Sequence, residues 1–195
     1  MMNCKTRSVL VGALYVVLVS MQASAQGSLW QKHMAAATRA HREGRYRDAE
    51  ESLKAALKEA ERFGAQDLRL AANLNDLAEA YRKQGKYTEA EPLYLRSLAI
   101  WKKALGLDHP SVAIGLNNLA LLYTAQGKYA EAESLYLRSQ AIWEKALGPD
   151  HLYVATNLEN YASLLRKMNR EAEAAKMETR AKAIRTKHAR ENATK

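Results

Sequence analysis

Two dipeptides, Asp108-His109 and Asp150-His151, set a carboxylate beside an imidazole, and they recur 42 residues apart. Both groups are ordinary metal ligands and acid–base catalysts. Their spacing defeats that chemistry, because adjacent side chains at a helix start point apart and a period of this length separates the two pairs by a whole structural unit. Asp is also a natural helix N-cap, and Pro110 suits a first helical turn. His33, His41 and His188 show no ligand or triad spacing. No nucleophile with a base, carboxylate pair or phosphate loop assembles from the remaining residues, so neither an enzyme, a metal nor a cofactor is expected.

A second polar set has a different chemistry. Asn75, Asp76, Glu79 and Arg82 are followed one period later by Asn117, Asn118, Leu121 and Thr124, and then by Asn160 and Ser163. At about 100° per residue these positions lie opposite Leu116, Leu119, Ala120 and Tyr123 and their counterparts, the side of the helix that packs. An amide offers both donors and acceptors to the backbone of an extended ligand, so this face is the candidate partner-binding groove. A solvated polar face is the plainer alternative. Trp101 and Trp143 share one repeat position and are expected to pack between helices.

The elements that must position these residues are legible in repetition. QGKYTEAEPLYLRS at 84–97 returns as QGKYAEAESLYLRS at 126–139, with 12 of 14 residues unchanged. Gly44, Gly85, Gly127 and Asn169 set spacings of 41, 42 and 42, and Ala49, Ala90, Ala132 and Ala174 repeat them. Four units follow, at 30–70, 71–112, 113–154 and 155–195, each reading as two helices. In the first, Leu74, Leu77, Ala78 and Tyr81 have amphipathic helical spacing. A turn at Gly85-Lys86 ends it, and the second opens near Thr88 with Glu91 placed for a capping box. Neither apolar stripe is buried within one unit, so neighbouring units must cover it. Ala78, Ala120, Ala162, Ala90, Ala132 and Ala174 mark the closest helix approaches, and Tyr81, Tyr123, Tyr94 and Tyr136 fill the space between.

The ends differ from this body. Residues 1–25 read as a signal peptide: Lys5 and Arg7, an apolar run from Val9 to Val19, then Ala23-Ser24-Ala25, with cleavage expected after Ala25. The competing reading, an uncleaved anchor, has too short an apolar run for a span of about 20 residues. Cleavage removes Cys4, the one cysteine, and leaves a chain stabilised by packing alone. Of the net charge of +9, +2 lies in 1–25, +1 in 26–165 and +6 in 166–195. The basic tail is an alternative docking element for an anionic partner. No aromatic residue interleaves it to stack bases, so nucleic acid is not expected. Membrane contact is expected only through an uncleaved signal or weakly through this tail.

The pattern L-x-x-L-A-x-x-Y-x-x-x-G-K-Y-x-E-A-E-x-L-Y, with ALGLDHPSVA and ALGPDHLYVA between copies, resembles tetratricopeptide repeats of the 42-residue, kinesin-light-chain-like variety. The first unit is degenerate, with His33, Ala36 and Ala40 at positions of larger apolar residues, and the fourth departs at Asn169 and Glu171. Glu178 and Lys182 replace residues that would pack on a further unit, marking the last helix as a cap. The resemblance implies an all-α, right-handed solenoid that binds a peptide or protein on its concave side. The lysine pair of the variety that holds a free carboxylate is missing: the matching places are Asn75, Glu79, Asn118 and Asn160. The expected protein is an exported interaction scaffold, periplasmic or secreted. Its rivals are a structural subunit of an envelope assembly and a module docking through its basic terminal helix.

Overall fold

A computed structural model describes residues 27–193. The processing segment read at 1–25 lies outside the described residues. A first helix, α1, occupies 27–42. It is followed by α2 (Tyr46–Ala60), a 3-10 turn (Glu61–Phe63), α3 (Leu68–Lys83), α4 (Tyr87–Leu105), α5 (Pro110–Gln126), α6 (Tyr129–Leu147), α7 (Leu152–Lys167) and α8 (Glu171–Ala193). Consecutive helices pair as antiparallel hairpins that stack in chain order, and no strand occurs among the described residues. The limits 70, 112 and 154 drawn from the repeat period fall at the third residue of α3, α5 and α7, not in the connecting loops.

The turn inside each hairpin has one geometry. Gly44, Gly85 and Gly127 take φ of 71°, 74° and 78°, and Asn169 takes 59° in the fourth. Left-handed backbone suits glycine, and asparagine is the side chain that tolerates it best. The next residue then closes the turn: the N–H groups of Arg45, Lys86, Lys128 and Arg170 donate to the carbonyls of Ala40, Tyr81, Tyr123 and Leu165, each at 2.9 Å.

Packing follows the small residues. Ala78, Ala120, Ala162, Ala90, Ala132 and Ala174 are all fully buried, so paired helices meet on methyl groups. Tyr94 and Tyr136 are buried beside them, while Tyr81 and Tyr123 are half-buried. A continuous apolar layer of Leu74, Trp101, Leu116, Trp143, Leu158 and Ile184 runs through the stack. At Gly115 a methyl group would stand 3.1 Å from Leu98 and 3.2 Å from Trp101, so its absence lets α5 approach α4. Trp143 stacks on Tyr153 with ring centroids 5.5 Å apart, so it serves as a packing residue.

Two expected caps have different chemistry. His109 and His151, not the preceding aspartates, cap α5 and α7: each Nδ1 accepts the N–H two residues on, Ser111 at 3.1 Å and Tyr153 at 3.2 Å. Asp67 does this for α3, accepting from Arg69 N–H at 2.8 Å. Asp108 and Asp150 instead tie their loops to the far ends of α6 and α8 through Lys145 and Lys187, both at 2.5 Å. No cluster of three metal-ligating side chains occurs among the described residues. The capping box at Thr88 and Glu91 does not form; α4 begins at Tyr87 after Lys86 without a side-chain cap.

Glu91 belongs to a different device, repeated along the stack. Glu50, Glu91 and Glu133 sit at equivalent places in α2, α4 and α6, and each receives the basic residue that closes the next hairpin's turn. Lys86 reaches Glu50 at 2.7 Å, Lys128 reaches Glu91 at 3.4 Å, and Arg170 reaches Glu133 at 2.8 Å. Gln84 adds a bond to Glu50, while Tyr123 and Gln126 add theirs to Glu91 and Tyr161 donates to Glu133. The hairpins are thus joined by polar locks outside the apolar layer.

Candidate functional site

Three first helices, α3, α5 and α7, carry the groove positions singled out above, and the structure divides most of them into three groups. Asn75, Asp76, Glu79 and Asn118 line an open cleft of about 380 Å³. Its opposite wall comes from the first hairpin, with Ala37, Thr38, His41, Arg42 and Leu53. Degenerate as the first repeat is, a shift of 41 residues carries Glu79, Arg82 and Lys83 onto Thr38, His41 and Arg42. That register was the available signal.

Asn117 and Asn160 form the second group. Donating Nδ2 to Oδ1 throughout, Asn160 bonds Asn117 at 3.1 Å, Asn117 bonds Asn118 at 3.4 Å, and Asn118 bonds Asn75 at 3.0 Å. Asn75 then donates to Asp76 Oδ1 at 3.2 Å. Asn157 joins at Asn117 Oδ1, at 3.4 Å. The groove asparagines are therefore not open amides waiting for a ligand backbone; they form a ladder across three repeats, and Asn75 and Asn117 are only 7% and 6% exposed. Asn75 and Asn118, which line the cleft, each keep a second lone pair on oxygen and a second hydrogen on nitrogen.

The third group is withdrawn from the surface. Thr124 is buried and donates to Ala120 O at 2.8 Å, and Leu121 packs partly buried against a second apolar cluster that includes Tyr136 and Tyr161. Arg82 lies behind the cleft, gripping Glu79 through two bonds of 2.7 Å, and Glu79 also accepts from Tyr94 Oη at 2.8 Å. Burial pushes the Glu79 carboxyl upward, but the bonds and charge of Arg82 outweigh it and hold it below its ordinary range. In the third repeat Leu121 replaces that carboxylate, and the buried Tyr136 hydroxyl, with Thr124 beside it, has no hydrogen bond of good geometry. Burial raises its pKa to about 12. In the fourth the acid has moved to the second helix, where Glu178 meets Arg166. Ser163 lies exposed.

Asp76 differs from its neighbours. Its side chain is exposed on the lining of the cleft, yet the protein packed around it withdraws enough solvent to raise its carboxyl pKa despite the bond from Asn75. Among the described residues it makes no ion pair.

Several basic residues of the tail are committed internally. Arg180 pairs with Glu144 at 2.8 Å, Arg185 with Glu159 at 2.6 Å, and Lys187 with Asp150 at 2.5 Å. No described helix is long and apolar enough to cross a membrane.

Stacked hairpins that present a polar concave face define an α-solenoid interaction scaffold, a fold that is characteristically non-catalytic. The chain belongs to the tetratricopeptide repeat family, whose model matches residues 32–103, 67–139 and 111–187. Its fold is that of BtubC (BKLC) from P. vanneervenii, with TM-score 0.73 and 24% identity over 84% of this chain and 66% of that one. It is shared with a putative kinesin light chain with nearly identical TPR-like repeats from Podosopora anserina, which in a singly substituted form aligns with TM-score 0.67 and 24% identity over 90% and 87%. MamA aligns with TM-score 0.57 and 18% identity over 97% and 99%. No curated protein matches the chain. Repeats of this family generally bind proteins or peptides.

Proposed function

We propose that the chain is an exported scaffold that holds an extended segment of a protein partner along its concave face, in the periplasm or outside the cell. The cleft between the first hairpin and α3 and α5 carries this reading. It is the place on the concave face where a recess, amide groups and a charge without an ion pair coincide. Docking through the basic helix α8 is less favoured, since Arg180, Arg185 and Lys187 are already paired. Export rests on the order of basic, apolar and small residues in 1–25.

A photo-crosslinking residue placed at Thr38, on the cleft wall, tests the reading against Lys103, exposed on α4, and Lys182, exposed on α8. Adducts of discrete mass, formed in cells from position 38 and not from 103, are expected. Adducts from position 182 with none from 38 refute the groove in favour of the terminal helix.

A further inference from the structure

The hydrogen-bonded asparagines have a direction. A carboxylate only accepts, so Asp76 obliges Asn75 to present its amide hydrogens and leaves Asn75 Oδ1 for Asn118. Asn118 must then turn its own oxygen to Asn117, and Asn117 its oxygen to Asn160. Every link donates toward Asp76. The aligned amide dipoles present their positive ends to that carboxylate and support negative charge on it.

Several other concave-face charges are paired nearby: Glu79 with Arg82, Arg166 with Glu178, Glu159 with Arg185. Position 76 becomes Asn118 and Asn160 in the later repeats, so the acid is confined to the cleft end. The basic side chains around it are His41 and Arg42, which line the cleft from α1, and Arg82 and Lys83, which follow it on α3. The His41 ring lies edge-on to Tyr46 with centroids 5.4 Å apart, Arg82 and Lys83 turn to Glu79, and none of the four pairs with Asp76. Ala37 and Leu53 supply apolar wall beside it.

We infer that this cleft is an anchor pocket for a cationic side chain of the partner, an arginine or lysine whose head group meets Asp76 while its aliphatic stem lies against Ala37 and Leu53. The inference rests on the concave-face reading above and names the chemistry of its partner. A carboxylate that is open to the cleft and has no ion pair can take a charge-assisted hydrogen bond from a cation, and the amide oxygens of Asn75 and Asn118 retain lone pairs for the remaining donors of a guanidinium. A cation at this contact opposes the rise in the Asp76 pKa through its charge.

The test uses the chain labelled for side-chain amide NMR and three probes: n-propylguanidinium, n-butylammonium and butyrate. Saturable shifts at the amides of Asn75 and Asn118 are expected with the two cations and not with butyrate, and the stronger cation tells arginine from lysine. Asp76→Asn should weaken cation binding about tenfold or more, as loss of a charge-assisted hydrogen bond does. Arg42→Ala, which removes a repelling rim charge, should strengthen it. Equal binding to Asp76→Asn, shifts caused by butyrate at the same amides, or weakened cation binding by Arg42→Ala each overturns the inference. The crosslink at position 38 separates the two readings. An adduct without cation shifts leaves the groove and removes the anchor, whereas cation shifts without an adduct leave a cation-binding cleft and remove both the groove and its anchoring of a partner.

Discussion

Glu50 offers a direct measure of the polar locks between hairpins. Its side chain is 11% exposed and accepts from Lys54 at 2.6 Å, Lys86 at 2.7 Å and Gln84 at 2.9 Å. Burial alone would raise its pKa, but the three donors outweigh burial and lower it from an ordinary 4.5 to about 2. A depressed folded-state pKa stabilises the fold above the unfolded value. The contribution is complete above about pH 4.5 and fades as pH falls through about 2. The full shift corresponds to about 3 kcal/mol. Lys54 and Lys86 are 53% and 39% exposed, so solvent screening reduces this to about 1 to 2 kcal/mol. Glu50→Gln should therefore lower the urea midpoint near neutral pH by about 0.5 to 1 M, at a slope of about 1 to 3 kcal/mol per molar. Urea titrations followed by far-UV circular dichroism from neutral pH downward provide the assay. The gap between the two proteins should narrow below about pH 4.5 and close near pH 2. A gap that stays constant with pH, or none at neutral pH, refutes the charge argument.

Further outcomes test the register and the caps. His109→Ala should cost about 0.5 to 2 kcal/mol, as loss of an N-cap does, whereas His109→Asp should retain the stability because Asp67 performs the same task. Thermal unfolding checks both, and equal losses would exclude the capping role. Ala120→Leu forces bulk into a fully buried contact and should cost about 1 to 3 kcal/mol. A change at exposed Lys103 should stay within about 0.5 kcal/mol, and equal denaturation midpoints would contradict the packing. Asn117→Ala strips the acceptor from Asn157 and Asn160 together and should destabilise by about 1 to 3 kcal/mol, more than Asn160→Ala, in the same titration. Amino-terminal sequencing of protein recovered from cells should begin at Gln26; retention of residues 1–25 would count against export.

The Asn117 outcome changes what a groove mutation reports. Asn75 and Asn117 bond across repeats, so replacing them perturbs the solenoid as well as any ligand contact. Asp76, which ends the ladder, and Thr38, across the cleft, probe binding with less structural consequence. The same distinction applies to Lys128, which contacts Glu91 at 3.4 Å and lies over the Tyr123 ring at 4.8 Å, and is for that reason a poorer surface control than Lys103.

Sequence alone determined the architecture, because the period of 41 to 42 residues, the turn glycines and the small residues are local requirements that each hairpin must meet by itself. Alanines at helix contacts and tyrosines beside them stand where the pattern put them, since amphipathic spacing fixes which side of a helix is buried. The tertiary structure alone decided which polar groups meet. Asn118 finds Asn75 across 43 positions, Lys86 finds Glu50 across 36, and Thr38, in the degenerate first repeat, shares a cleft with Asp76. Those encounters depend on how far and at what angle each hairpin is displaced from the last, a property of the packed stack that no single repeat carries in its own pattern of residues.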